Sequence, residues 1–244
     1  MTAQRPFAVF DIDGTIIRWQ LYHALADDLA KAGHLDPKEF DKVRVARMAW
    51  KKRVRETSFN DYEETLVHLI DKAITNIKAE DLQAACHRVL LEYKDQVYIY
   101  TRDLIQELKV KNYLLFAISA SQAEIVELLA GYYGFDDYGG SLYEIKDGYF
   151  TGRKDVLRSE RKPAYLKELV AKHGADWAGS VGVGDSESDI PMLSTIERPI
   201  AFNPTRNLYE YAVEHSWPVV IERKNMIYKL EPGDGKYVLA QTDG

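Results

Sequence analysis

Short apolar runs alternate with longer amphipathic stretches along most of the chain. The runs are four to six residues long, are bounded by polar, glycine or proline positions, and lie at 7–10, 113–118, 180–183, 199–202 and 218–221. Between them, apolar residues recur at helical spacing over 122–132, 163–173 and 205–214. Strands that are apolar throughout are typical of a parallel sheet covered by helices on both faces. The alternation therefore predicts an α/β fold with a Rossmann-like parallel sheet.

One long region breaks this alternation. Residues 19–98 contain no convincing strand, and their leucines recur at helical spacing, as at positions 21, 25 and 29. Because this segment is much longer than one crossover helix, it predicts a small all-helical domain inserted after the first strand. The predicted catalytic core then comprises residues 1–18 and 99–230. The remaining residues, 231–244, are predicted to form an irregular tail.

A β-hairpin is predicted further along the core. The stretch GSLYEIKDGYFTG, at residues 140–152, alternates in polarity around Asp147 and Gly148. Asp-Gly is a favoured pair for a two-residue hairpin turn. We therefore expect an antiparallel pair of strands within the otherwise parallel sheet.

Composition narrows the class of protein only moderately. Of the 244 residues, 46% are hydrophobic, which is ample for a packed core, and the formal net charge is −6. This charge disfavours nucleic acid as a partner, because polyanion binding normally requires a basic surface. No run approaches the roughly 18 apolar residues of a membrane span. Cys86, the single cysteine, excludes an internal disulfide, and the first residues lack a secretory apolar segment. We expect a cytoplasmic protein.

Carboxylates and hydroxyls are concentrated just after three of the predicted strands, in DIDGT (11–15), SAS (119–121) and GDSESD (184–189). In an open parallel sheet, residues beyond the carboxyl ends of the strands border one crevice. Oxygen ligands suit a hard divalent cation such as Mg²⁺. Glycine-containing turns before helices present N–H groups to an anion. Together the three stretches indicate a site for a metal and an anion, although each alone is also compatible with an ordinary strand-end turn.

The same stretches resemble the motifs of the haloacid dehalogenase superfamily, in its phosphoserine-phosphatase-like branch with a helical cap. The first motif, Asp-x-Asp-x-Thr, matches residues 11–15, and the fourth, Gly-Asp-x-x-x-Asp, matches residues 184–189. Ser119 matches the second motif, a serine or threonine that closes the next core strand. Lys162 fits the third, a lone lysine near a helix start, although Arg161 and Arg158 are close by. The helical insertion at 19–98 lies where that branch carries its cap.

This resemblance implies roles for the matched residues. Asp11 is then the nucleophile that becomes an aspartyl phosphate, and Asp13 the general acid and base. Mg²⁺ is held by the Asp11 carboxylate, the Asp13 backbone carbonyl and Asp185, with Asp189 acting through water or through hydrogen bonds to a ligand. Ser119, the Ala120 N–H and Lys162 bind the phosphate.

The resemblance implies an Mg²⁺-dependent phosphatase that hydrolyses a small phosphorylated metabolite, with no nucleic-acid or membrane partner. A phosphotransferase or mutase on the same core is the alternative. A receiver-type phosphoacceptor accounts neither for Asp13 nor for the insertion. The sequence names neither the substrate nor the oligomeric state.

Residues of the insertion are the candidates for contact with the leaving group. In phosphoserine phosphatases an acid shortly after the first motif and an arginine on a later cap helix bind the charges of the amino acid. Here Trp19 and Gln20 occupy the first place and Leu69 the second. We therefore expect phosphoserine to be a poor substrate, unless Arg53 or Arg55 substitutes for the arginine. The histidines of the insertion, including His23, are expected to be exposed or hydrogen-bonded.

Overall fold

The computed structural model describes residues 4–233 and 236–243. Its strands, in chain order, are β1 Pro6–Phe10, β2 Leu114–Gln122, β3 Asp137–Lys146, β4 Tyr149–Asp155, β5 Asp176–Gly184, β6 Arg198–Phe202, β7 Val219–Arg223, β8 Met226–Gly233 and β9 Lys236–Asp243. The α-helices are α1 Leu21–Lys31, α2 Pro37–Lys51, α3 Ser58–Ala73, α4 Ala79–Tyr93, α5 Ile99–Val110, α6 Ala123–Tyr133, α7 Lys162–His173, α8 Ile190–Leu193 and α9 Arg206–His215.

All nine described strands belong to one sheet, in the order β4-β3-β2-β1-β5-β6-β7-β8-β9. The pairs from β3 to β7 across the centre of the sheet are parallel, which confirms the predicted α/β class. The antiparallel β3–β4 pair turns at Asp147 and Gly148, both with positive φ, as the Asp-Gly pair predicts. β1 lies at the centre, between β2 and β5, so the residues that follow it emerge at the middle of the sheet.

The sheet separates two apolar layers. Along β1, Ala8 and Phe10 belong to one cluster, and Phe7 and Val9 belong to the other, as the two-residue period of a strand requires. The cluster containing Phe10 continues into the helices of residues 19–98 and into α5 and α6. The second cluster is covered by α7, α8 and α9. Helices therefore cover both faces of the parallel sheet.

Residues 19–98 fold into four α-helices, α1 to α4, and a short 3₁₀ turn, in agreement with the predicted helical insertion. The two segments that connect this insertion to the sheet run side by side. Ile17 pairs with Val97, and the Arg18 N–H donates to the Gln96 carbonyl at 2.9 Å. The Arg18 guanidinium donates to the Val97 carbonyl at 2.7 Å and pairs with the buried Glu222 of β7. The division of the chain into a core and a separate cap domain stays a prediction.

The predicted irregular tail is wrong for the described part of residues 231–244. β8 extends from 226 to 233 and pairs antiparallel with β7, and β9 in turn pairs with β8. Pro232 and the glycines nearby suggest a loop, but backbone pairing with β7 extends the sheet here. These strands are only partly buried, so their side chains show little of the periodicity that marks a core strand.

No helix among the described residues is both long enough and apolar enough to span a bilayer.

Candidate active site

Asp11, Asp185 and Asp189 meet at the carboxyl ends of two adjacent strands. Asp11 follows β1, and its N–H donates to the Val183 carbonyl of β5 at 2.9 Å. Asp185 follows β5, and Asp189 lies in the short turn before α8. One carboxylate oxygen from each of the three lies within 4.8 Å of the others. Because β1 and β5 are hydrogen-bonded neighbours, residues that are far apart in sequence converge at one edge of the sheet.

A buried lysine lies within this group of carboxylates. The Lys162 ammonium at the start of α7 donates to Asp11 Oδ1 at 2.8 Å and to Asp189 Oδ1 at 2.6 Å. Burial by itself lowers the pKa of an amine, but the charges of Asp11 and Asp189 outweigh it and raise the pKa of Lys162. The lysine is therefore a fixed positive charge beside Asp11.

The charge of this lysine does not balance the negative charge of the surrounding aspartates. Burial, followed by the charges of Asp189 and Asp13, raises the pKa of Asp11 to about 8. Burial and the charge of Asp11 likewise raise the pKa of Asp185 to about 9. A bound cation would favour the ionised form of both.

The chemistry of this set fits a hard divalent cation. Asp11, Asp185 and Asp189 offer only oxygen atoms, which Mg²⁺ prefers. In the turn after Asp11, the backbone of Gly14 lies very close to the Asp185 carboxylate. Gly14 has φ +82°, and a Cβ added to it would lie 2.1 Å from Asp185 Oδ2. Only glycine fits this position without displacing the carboxylate of Asp185.

Asp13 is held by three donors. Its Oδ1 accepts from the Leu21 N–H at 2.5 Å, and its Oδ2 accepts from the Ser119 and Ser121 hydroxyls, each at 2.8 Å. These bonds lower the pKa of Asp13, but the effect of burial is larger and raises it overall. The side chain is thus fixed in orientation and favours the protonated state more than a free aspartate does, as a general acid requires.

Ser121 also binds Asp13, although its position in the sequence predicted no role for it. Its hydroxyl is as close to Asp13 as that of Ser119, and its N–H donates to Ser119 Oγ at 2.9 Å. The Ser-x-Ser spacing could have revealed it, because residues two apart in a strand share one face. The extension of β2 to Gln122, beyond the apolar run, provides this geometry.

The predicted phosphate-binding residues lie beside Asp13. Ser119 is fully buried and donates to Asp13, while Ala120 is exposed at the end of the same strand. Lys162 contacts Asp11. The structure therefore brings these three residues to the same strand ends as Asp11, and their contact with phosphate stays a prediction.

The four residues that were predicted to contact the leaving group lie in two parts of the insertion. Gln20 immediately precedes α1, one residue before the Leu21 N–H that binds Asp13. The Trp19 ring lies 6.2 Å from that of Trp50. Arg53 is an exposed residue in the turn after α2, with φ 52°, and Arg55 is exposed and pairs with Asp61 at 2.9 Å. Trp19 and Gln20 are thus linked to the site through α1, whereas Arg55 is paired with Asp61 of α3.

The expectation for His23 is wrong. Its side chain is 1% exposed, and among the described residues neither ring nitrogen has a hydrogen-bond partner. It lies among the rings of Trp19, Tyr22, Phe59 and Tyr62. Burial, with the nearby charge of Arg47, lowers the pKa of His23 to about 3. The imidazole is buried in neutral form, because burial and the charge of Arg47 both disfavour its protonation.

Comparison with known proteins assigns the chain to a family. The sequence model of the haloacid dehalogenase-like hydrolases matches residues 8–194. A phosphoserine phosphatase of Mycobacterium tuberculosis is 28% identical over 127 residues, which are 51% of this chain and 41% of that protein. A histidinol-phosphatase of Neisseria meningitidis serogroup C is 25% identical over 228 residues, 87% of this chain and 97% of that protein. The chain spans less than half the length of several curated relatives that it matches.

A solved structure shows the same fold. The phospho-aspartyl intermediate analogue of a phosphoserine phosphatase superimposes with a TM-score of 0.62 and 20% identity. The superposition covers 91% of this chain and 95% of that one. At this level of identity the likeness concerns the fold alone.

Proposed function

Because the chain belongs to the haloacid dehalogenase-like hydrolases, we propose that it is an Mg²⁺-dependent phosphatase that hydrolyses a small soluble phosphomonoester through an aspartyl phosphate on Asp11. The residues that surround Asp11 give this proposal its main support. A nucleophile, a buried lysine at 2.8 Å and two further carboxylates suited to a metal lie together at the strand ends. The general acid lies two residues away along the chain and is held in place by three donors.

The reaction has two steps. An oxygen of the Asp11 carboxylate attacks phosphorus, and the bond from phosphorus to the ester oxygen breaks while Asp13 donates its proton to the departing alcohol. Asp13, now ionised, then takes a proton from a water molecule, whose oxygen attacks the same phosphorus. The bond between phosphorus and Asp11 breaks, which releases inorganic phosphate and restores both aspartates.

The remaining residues stabilise negative charge. Lys162 neutralises charge on Asp11 and on the phosphoryl group, and Ser119 and the Ala120 N–H bind phosphoryl oxygens. Mg²⁺ would be held by Asp11, by Asp185 and by the Asp13 backbone carbonyl, with Asp189 acting through water. Asp189 is less available than the others because its Oδ1 accepts from Lys162 and its Oδ2 from the N–H groups of Asp185 and Ser186. When bound, the cation neutralises charge on the transferring phosphoryl group.

Phosphoserine is not the preferred substrate in this proposal. A dedicated site would pair its ammonium with an acid and its carboxylate with an arginine, since unpaired charge in a closed site is costly. Gln20 and Leu69 stand where those partners are expected, and Leu69 is buried in the apolar core. The histidinol-phosphatase relative matches almost its full length to this chain, whereas the phosphoserine phosphatase matches less than half of its own.

Phosphate release from a panel of esters tests the proposal. The panel comprises O-phosphoserine, histidinol phosphate, glycerol phosphate and sugar phosphates, each measured with Mg²⁺ and with a chelator. We expect release that requires Mg²⁺, and an Asp185→Ala variant that needs a higher Mg²⁺ concentration. Full activity after exhaustive chelation would contradict the metal site. Transfer of phosphate to an added alcohol instead of water would favour a phosphotransferase. If O-phosphoserine had the highest kcat/KM, above about 10⁴ M⁻¹s⁻¹, the substrate preference would be wrong.

A further inference from the structure

A continuous set of contacts connects the general acid to one face of α3. The Leu21 N–H bound to Asp13 belongs to the first residue of α1, and Trp19 lies two residues earlier. The Trp19 ring is 6.2 Å from Trp50, and the Trp50 ring is 5.2 Å from Phe59 on α3. All three rings are only partly buried. They form a partly exposed aromatic surface that begins beside the active site.

Glu63 lies on the same face of α3 as Phe59. The two residues are four positions apart, so their side chains are neighbours on the helix. The Glu63 side chain is exposed, and no hydrogen bond or ion pair involves its carboxylate within 4–233 and 236–243. Surrounding protein atoms, followed by the charges of Asp13 and Glu187, raise its pKa. Glu63 therefore adds an exposed carboxylate one helical turn from the ring of Phe59.

Two arginines of this part of the insertion are paired with aspartates. Arg47 binds both Asp27 oxygens, at 2.6 and 2.9 Å, and Arg55 pairs with Asp61. The Lys51 ammonium lies 5.5 Å from the Trp19 ring centroid, so this aromatic surface already accommodates a cation. An unpaired carboxylate and electron-rich rings thus lie in the part of the insertion that Trp19 joins to the general acid.

We propose that Glu63, together with the aromatic surface formed by Trp19, Trp50 and Phe59, binds an organic cation on the leaving group of the substrate. This inference rests on the proposed phosphatase activity and specifies its substrate class. The substrate is the phosphate ester of an alcohol that carries an amine or a similar cation and lacks a carboxylate. A carboxylate there would be repelled by Glu63, whereas an ammonium is attracted by Glu63 and by the aromatic rings.

Matched phosphate esters test this substrate class. Steady-state kinetics with Mg²⁺ would compare ω-aminoalkyl phosphates of two to six carbons with n-alkyl and ω-carboxyalkyl phosphates of equal length. We expect the best aminoalkyl ester to exceed its alkyl counterpart at least tenfold in kcat/KM, since a hydrogen bond to a charged group is stronger than one between neutral groups. Glu63→Gln is expected to remove this advantage mainly through KM, and to leave the alkyl esters within about threefold. Glu63→Lys is expected to favour the carboxyalkyl esters.

Glu64→Gln is the matched control, because Glu64 is the next, exposed residue of the same helix. It is expected to behave as the wild-type protein on all three series. The inference is overturned if no aminoalkyl ester is preferred, or if the preference survives in Glu63→Gln. It is also overturned if carboxyalkyl esters are preferred and Lys51→Gln abolishes that preference. Each of these outcomes includes hydrolysis of alkyl esters and leaves the phosphatase proposal intact, whereas hydrolysis of no ester in any series contradicts the phosphatase proposal itself.

Discussion

Charged groups at the strand ends and polar rings inside the helical insertion are buried in contrasting ways. At the strand ends the side chain of Asp13 has three donors, and Lys162 has two carboxylate acceptors. In the insertion the ring nitrogens of His23 have no partner among the described residues, nor has the hydroxyl of Tyr22. An unpaired buried polar group costs about 1–3 kcal/mol. The strand ends thus hold charged groups in place through hydrogen bonds, whereas the insertion mainly packs aromatic rings against one another.

This contrast separates substitutions that should abolish activity from those that should change stability. Charges at the strand ends are coupled, so one substitution there alters the charge balance of several residues. Substitutions in the insertion should leave the reaction steps intact and should change folding or substrate preference.

Asp11→Asn is expected to lower kcat by at least about 10³-fold while the fold is kept. The amide is nearly isosteric with the carboxylate but cannot attack phosphorus. The measurement is phosphate release, with circular dichroism to verify folding. Asp61→Asn, at an exposed ion pair of the insertion, is the control and should retain full activity. Activity of Asp11→Asn within tenfold of wild type would remove Asp11 from the role of nucleophile.

Gly14→Ala is expected to lower activity about 100-fold at fixed Mg²⁺ and to require more Mg²⁺, because the added Cβ displaces the Asp185 carboxylate. Gly33→Ala is a closely matched control. Gly33 has φ +84°, close to that of Gly14, but nothing lies within 4 Å of its Cβ position. Both variants should lose about 1 kcal/mol of stability from the positive φ. An equal loss of activity in both would show that backbone strain, and not the contact with Asp185, is responsible.

His23→Leu is expected to make the free energy of unfolding less sensitive to acid. The folded pKa of His23 is about 3, below the ordinary 6.5, so between these values the unfolded chain binds a proton that the folded chain does not. Stability of the wild-type protein therefore falls as pH is lowered below about 6.5. Between pH 7 and pH 5 this contribution is about 2 kcal/mol.

Urea unfolding at several pH values measures this difference. The exposed His68 of α3 provides the control, and His68→Gln should retain the pH dependence of the wild type. If His23→Leu and wild type lost the same stability between pH 7 and pH 5, the histidine would not be neutral in the folded protein.

Ser121→Ala is expected to lower kcat/KM about three- to tenfold, which corresponds to the loss of one hydrogen bond of about 1 kcal/mol to Asp13. Ser119 and Leu21 still hold the carboxylate in this variant. Ser194→Ala is the control, because Ser194 is an exposed residue directly after α8. An unchanged rate in Ser121→Ala would mean that two donors orient Asp13 sufficiently.

The amino-acid sequence by itself determined the features that depend on short-range patterns. The apolar run at 7–10 specifies a central strand, and Asp-Gly at 147–148 specifies a hairpin turn. The positions of Asp11 and Asp185 directly after strands were enough to predict that they meet, because parallel neighbours end at the same edge of a sheet. The absence of strand periodicity in 19–98 similarly identified the helical insertion.

Other features were decided only by the tertiary structure, because they depend on partners that are distant in sequence. β8 and β9 become strands through pairing that begins at β7, although their own side chains suggest a loop. His23 is buried because rings from α1 and α3 close around it. The sequence alone cannot show that neither ring nitrogen has a hydrogen-bond partner among the described residues. Which side chains of the insertion face the active site is therefore set by helix packing, since the helical period identifies a helix face but not what that face contacts.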